Sequence, residues 1–372
     1  MEDELSMAKK QRNLFVLFFM LVSYACGTTV SNGELETGGT AIPELTLTAT
    51  IEPTSPPQAT STEPPTQTPT VIDAGRELNT VVVKSPAVKI AQLVGDYDHE
   101  SEEPTLNRTG EQYQLSRTDL GIPFKHGDRL YILFGDAWDP PDDPIAYTTD
   151  MNPEDGLDLV FLENESGRYR PINIPGVSLG AFEVPTEGVS IDGNMFIYVT
   201  TDHRDRVVMG RSVVAVSEDD GYTFDYLYDF STEHFINVSI VQTDSFDGDG
   251  FPEADGEGLV IFGSGPYRES DVRLAFQAAA AIKNPDEIRY FAGLDQKNLP
   301  TWSSLEKDAQ PLFHQPCVGE FSVSYNRFIQ QWIMLYNCDL ENSRGINLRT
   351  ADNAWGPWSD PLIIFHPWDD GG

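Results

Sequence analysis

The chain has 372 residues, a formal net charge of −35 and only three cysteines. So acidic a balance excludes nucleic acid as a partner, because its phosphates would be repelled; it suits an extracytoplasmic protein that meets neutral polymers or cations. There is no His/Cys zinc spacing, no phosphate-binding glycine loop and no Gly-x-Ser-x-Gly elbow, so none of those three chemistries has a motif to stand on.

Residues 1–25 read as a signal peptide. Lys9, Lys10 and Arg12 precede an apolar run from Leu14 to Val22 that is too short to span a bilayer. The run closes on Val22-Ser23-Tyr24-Ala25-Cys26-Gly27, which resembles a lipoprotein box whose cysteine is lipidated. Ser23 and Tyr24 depart from the commoner pattern of Leu and a small residue. Lipidation of Cys26 is therefore expected, with plain secretion as the alternative, and both place the chain outside the cytoplasm. Residues 26–79 are rich in Thr, Pro and Ser, as in Glu52-Pro53-Thr54-Ser55-Pro56-Pro57. They bury too little to offset backbone ordering and are expected to form an extended tether.

From residue 80 to 372 apolar runs alternate with Gly, Asp and Pro, as expected of one large domain. Ser116 to Asp139 reads as two strands about a turn at Lys125-His126-Gly127-Asp128. Folding there brings Asp119 close to Asp136. Directly opposed carboxylates, ~5 Å apart at Cβ, repel each other. A chemistry that needs one protonated and one ionised carboxyl has a use for such a pair. The alternative is two separate loop aspartates capping strand ends.

Further strands are expected at Met195–Thr200, Ser212–Val216, Gly258–Phe262, Val272–Phe276, Glu320–Tyr325, Gln331–Tyr336 and Gly345–Thr350. Many short strands with Gly/Asp turns indicate an all-β sandwich, barrel or propeller. Ser217-Glu218-Asp219-Asp220-Gly221-Tyr222-Thr223-Phe224 matches the Asp-box of propeller blades, which makes Asp219 a turn-former. The strand spacing suggests about five blades.

Six side chains are candidates for substrate contact. Glu320 opens a strand with small and apolar neighbours, the alternative being a solvated strand end. Glu187 opens another. Arg268 follows the Gly263-Ser264-Gly265-Pro266-Tyr267 turn and is suited to hold a carboxylate or grip hydroxyls, or to make an ordinary surface ion pair. Trp138, with Tyr267 and Trp302, is suited to stack on sugar faces, although core packing is the commoner fate of such rings. Asp247, Asp249 and Asp255 lie in an acidic stretch resembling a calcium loop, or merely a solvated one. Cys317 and Cys338 lie on two arms of one hairpin, where a disulfide is plausible in an exported protein.

The ordered set Arg117–Ile122, Leu130–Asp136, Gly263–Arg268, Pro300–Ser303, Val318–Val323 and Trp355–Ser359 resembles the bacterial family labelled as a domain of unknown function, DUF4185, over about Val83 to the end. The resemblance implies a five-bladed β-propeller similar to glycoside hydrolases, some family members being endo-D-arabinanases. Its catalytic carboxylates match Asp119 and Asp136. Family members continue past the Trp368 region with further strands, so a last blade left incomplete at the C-terminus, with an exposed strand edge, is expected. The expected function is hydrolysis of a furanose-rich, arabinan-like polysaccharide by a monomer that requires no cofactor, calcium being optional. The alternative is a non-catalytic surface propeller that binds glycan or a protein.

Overall fold

The computed structural model describes residues 81–138, 141–205, 208–243, 250–252 and 256–366. The signal peptide, Cys26, the tether and the acidic residues Asp247, Asp249 and Asp255 lie outside them.

A two-stranded ribbon, β1 (Tyr97–Asp98) and β2 (Glu103–Pro104), leads into a short helix α1 (Thr109–Tyr113). Four antiparallel meanders follow. The first sheet holds β3 (Asp119–His126), β4 (Arg129–Gly135), β5 (Ile145–Thr148) and β6 (Val160–Phe161); the second holds β7 (Pro185–Ile191), β8 (Asn194–Thr201), β9 (Arg211–Ser217) and β10 (Asp225–Ser231). The third holds β11 (Asn237–Thr243), β12 (Gly258–Ser264), β13 (Val272–Ala278), β14 (Arg289–Leu294) and β15 (Pro300–Ser303); the fourth holds β16 (Phe321–Asn326), β17 (Gln331–Cys338), β18 (Gly345–Ala351) and β19 (Leu362–Phe365). The strand expected at Val272–Phe276 runs on to Ala278 and then tightens into a 3₁₀ turn at Ala279–Ala281.

Each sheet is a blade of an all-β propeller. The middle strands are apolar on both faces; in β12 every residue is buried. Such a strand needs a neighbour on each side. One core fills the space between blades 1 and 2 with Phe124, Leu133, Ile197 and Val213. A second joins blades 2 and 3 through Val189, Tyr198, Ile240 and Leu259, and a third joins blades 3 and 4 through Phe262, Leu274, Val323 and Met334. The far face of blade 1 is covered by Leu93, Val94, Tyr113 and Leu115. The described residues thus build four blades where strand spacing suggests about five.

The first strand of each blade is innermost, and β3, β7, β11 and β16 together line a central channel of about 650 Å³. Polar ties cross between blades. The ring nitrogens of buried His126 on β3 lie 2.8 Å from Ser190 Oγ and 3.1 Å from Asp220 Oδ1 of blade 2. The Asp-box folds as its sequence requires. Asp219 accepts from Ser217 Oγ, Thr223 N and Thr223 Oγ1 at 2.7–2.9 Å, while Phe224 is buried.

Glu187, expected as a substrate contact, is instead buried between blades 2 and 3. Its Oε1 accepts from Gly188 N at 2.9 Å and its Oε2 from Ile240 N at 2.8 Å, so both oxygens are occupied by backbone donors. Burial pushes its carboxyl up to about 7, with the backbone donors acting the other way. The bound proton therefore stabilises the fold fully below the ordinary value of 4.5, and that contribution is lost as pH rises through about 7. The Tm advantage of the wild type over Glu187→Gln should shrink between pH 5 and pH 8. An advantage that widens over this interval would contradict the assignment.

Candidate active site

The β3–β4 hairpin turns at Gly127-Asp128, with His126 opposite Arg129. An uninterrupted ladder from that turn would set Asp119 directly against Asp136. An extra residue at Gly121 shifts the register, so Leu120 faces Phe134 and Asp119 faces Gly135. Leu120 and Gly121 both take positive φ, 61° and 126°, the second an angle that glycine adopts freely. The bulge offsets the two carboxyls by one position instead of opposing them. Gly135 has a steric duty as well: a Cβ there would lie 2.6 Å from Leu120 Cδ1 and 2.8 Å from Val184 Cγ1. No larger residue lets blade 1 approach blade 2 so closely beside Asp136.

Asp119 and Asp136 line one cavity of about 520 Å³, together with Glu320, Arg268, Glu269, Tyr267, Phe182 and Asp339. It lies where β3, β7, β11 and β16 begin, since Asp119, Pro185, Asn237 and Phe321 all contribute to its wall. Asp136 also has left-handed backbone, φ 51°. Its Oδ1 accepts from Phe182 N at 2.7 Å, and its own N–H donates to Asp143 Oδ1 at 3.1 Å. Asp119 keeps one side open to the cavity while protein crowds the other. That crowding first, then the charge of Asp136, then that of Glu320, raises its carboxyl to about 6.

Glu320 is better supplied with donors. Tyr267 OH donates to its Oε1 at 2.7 Å, Asn337 Nδ2 donates to its Oε2, and Arg268 Nη2 lies 3.8 Å away. The Arg268 guanidinium lies over the Tyr267 ring, 4.7 Å from its centroid. The disulfide between Cys317 and Cys338 forms, with Cα atoms 5.2 Å apart. It closes beside a local ladder in which Gly319 N donates to Asn337 O and Asn337 N to Glu320 O. The covalent tie thus fixes the segment that carries Glu320 on the blade 4 side of the cavity.

The predicted Glu320, Arg268, Asp119 and Asp136 therefore converge, and Glu187 does not. Trp138 is exposed two residues beyond Asp136, with the Arg117 guanidinium 4.7 Å over its ring. Trp302 is no stacking platform: it packs against Phe251, Phe276 and Phe291, and its Nε1 donates to Gly250 O at 2.6 Å. Phe182, Asn337 and Asp143 have no motif that sequence reading could have used; only the folded chain brings them here. Among the described residues no cluster of three or more His, Cys, Asp or Glu side chains is arranged to hold a metal.

Fold and site together define an all-β propeller with an acidic pit at the mouth where its inner strands begin. Residues 105–367 match the family described as "Domain of unknown function (DUF4185)", and the chain belongs to that family. No curated protein matches. Among solved structures, a Bacteroides ovatus protein named as a candidate hydrolase is 12% identical at TM-score 0.47, over 69% of this chain and 72% of that one. An exo-β-1,3-galactanase from Phanerochaete chrysosporium is 10% identical at 0.43, over 74% and 53%. The Bacillus subtilis arabinanase is 11% identical at 0.39, over 68% and 80%.

Because the Asp136 charge helps to raise the Asp119 carboxyl, Asp136→Asn should lower it. Asn retains an acceptor oxygen for Phe182 N, so Tm should be unchanged or slightly raised. Carboxyl ¹³C NMR titration checks the first claim and a thermal melt the second; an Asp119 midpoint that stays put would show that the two side chains do not sense each other.

Proposed function

We propose that the protein is an exported glycoside hydrolase that cleaves a neutral, furanose-rich, arabinan-like polysaccharide. The observation that carries this reading is the pair of carboxyls, Asp119 and Asp136, that line one cavity close enough for the charge of one to raise the other. Asp119, raised to about 6, is suited to deliver a proton to the leaving oxygen. Asp136, with Oδ1 held by Phe182 N, is suited to act as base or nucleophile on the other side of the sugar. Glu320, Arg268 and the exposed rings of Phe182 and Trp138 are the proposed sugar contacts. The lining has five carboxylates to one guanidinium, a balance that disfavours anionic polymers and suits neutral ones. The family resemblance points the same way.

The finer parts of the reading are proposals of the same kind. Lipidation of Cys26 and a tether over residues 26–79 would hold a monomeric catalytic domain at the cell surface, with calcium as an optional ligand of Asp247, Asp249 and Asp255. Five blades are favoured by the free face of blade 4. Ile333, Leu335, Ile346 and Leu348 there are only partly covered, and Leu362 is 44% exposed. An apolar sheet face of that extent calls for a further sheet against it.

Incubation of the purified protein with arabinan and with a panel of pyranose polymers tests the activity. New reducing ends from arabinan are expected; retention on the polymer without release would favour a glycan-binding propeller. Asp119→Asn and Asp136→Asn should each lower turnover by ~10²–10⁴-fold while sugar binding and Tm survive. An Asp136→Asn protein that melts early yet still turns over would assign the residue to the turn and not to the chemistry. For the anchor, Cys26→Ser should shift the protein from the membrane fraction to the soluble exported fraction, and unchanged retention would argue against lipidation.

A further inference from the structure

Behind Asp136 lies a further carboxyl, outside the lining of the pit. Asp143 sits in the connection from β4 to β5 and is 2% exposed. Its Oδ1 accepts the Asp136 backbone N–H at 3.1 Å, and its buried Oδ2 has no hydrogen-bond partner among the described residues. The connection is pinned around it. Phe134 N donates to Pro144 O and Ala137 N to Asp142 O, both at 2.9 Å, and Ile172 N donates to Asp143 O at 2.8 Å. The neighbouring Asp142 is engaged by Arg168 Nη2 at 3.0 Å, so that cation answers Asp142 and not Asp143.

We propose that Asp143 is a positioning residue: by accepting the Asp136 N–H it holds the left-handed turn that aims the Asp136 carboxylate into the cavity beside Asp119. The turn needs such a hold. A residue that carries a Cβ enters positive φ only where its surroundings fix it, and Asp136 sits at φ 51°. Two contacts do the fixing, one at the side chain from Phe182 N and one at the backbone from Asp143. Without the second, the Asp136 N–H would be left against a buried wall with no acceptor, and the turn would relax to regain one.

The chemical state of Asp143 agrees with the geometry. Burial pushes its carboxyl well above the ordinary range; the Asp136 N–H opposes this, while the charges of Asp136, Asp142 and Asp119 add to it. A neutral carboxyl keeps an acceptor oxygen for the N–H and places no second negative charge behind the Asp136 carboxylate.

The inference rests on reading Asp136 as one of the working carboxyls, so its test includes a readout that needs no turnover. Asp143→Asn and Asp143→Leu are made in the full chain, and the Asp119 carboxyl is titrated by ¹³C NMR. In Asp143→Leu the Asp119 midpoint should shift down from about 6, because the Asp136 charge has left its place. In Asp143→Asn, whose amide oxygen replaces the acceptor, the midpoint should stay. Turnover on arabinan should fall ~10²-fold in the Leu variant, the scale of a small misplacement, and recover most of that loss in the Asn variant. A folded Leu variant with an unmoved Asp119 midpoint overturns the proposal. If the Leu variant does not fold, Asp143→Asn decides alone: native Tm with a lost midpoint overturns it, and native Tm with the midpoint kept supports it. A wild type that releases no reducing ends would sink the glycosidase reading while leaving the titration result standing.

Discussion

The structure depends on one constraint, that a sheet apolar on both faces must be covered on both. In β12 all seven residues are buried, and in β8 seven of eight are. Sheets of that kind stack face to face, and their right-handed twist turns the stack into a ring of blades. In such a ring the first strands crowd together at the centre. Crowding sets how close neighbouring backbones come, and Gly135 beside Val184 is one place where only hydrogen in place of Cβ is tolerated. Where those inner strands begin, the connections diverge and a pit is left. The position of the site is thus a consequence of packing, before any side-chain chemistry enters.

Placing several acidic groups in one pit raises a problem of like charge, and the pit meets it unevenly. Glu320 has a phenol, an amide and a guanidinium turned toward it. Asp136 has the Phe182 N–H. Among the described residues no hydrogen bond helps to hold the charge of Asp119, which feels burial and two neighbouring anions instead. Its raised proton affinity follows from burial first and from the charges of Asp136 and Glu320 after it. Three carboxyls of ordinary type thus sit in different surroundings, side-chain donors for Glu320, a backbone donor for Asp136 and crowding with like charge for Asp119.

Sequence reading went furthest where a local rule decides the outcome. Apolar runs bounded by Gly and Asp turns located β4, β9, β12, β13, β17 and β18 to within a residue or two, and the Asp-box from Ser217 to Phe224 was legible because all its partners lie within eight positions. The cysteines were readable for a similar reason, since one hairpin carries both. The Asp119–Asp136 pairing was right in substance but not in register, because the Leu120–Gly121 bulge adds a residue that no alternation pattern announces. Glu187 was misread because its fate is settled 53 positions away, at Ile240 N. Short strands such as β6 and β15, and the burial of Asp143 behind the pit, depend wholly on tertiary contacts and leave no trace in spacing.

The two sides of the pit are braced by different means, and this bears on how a substrate would be held. On blade 4, Glu320 stands next to a disulfide and a three-residue backbone ladder, so its place is fixed covalently and by the sheet. On blade 1, Asp119 and Asp136 are fixed by a bulge and a left-handed turn, conformations that persist only because neighbouring groups hold them. Both sides are therefore braced, the blade 1 side through left-handed backbone and a buried carboxyl. A substrate spanning the pit would meet a recess whose walls are already tied by these contacts. Recognition then rests on fit and on hydrogen bonds already in place, the arrangement in which small displacements of a reacting group weigh most heavily.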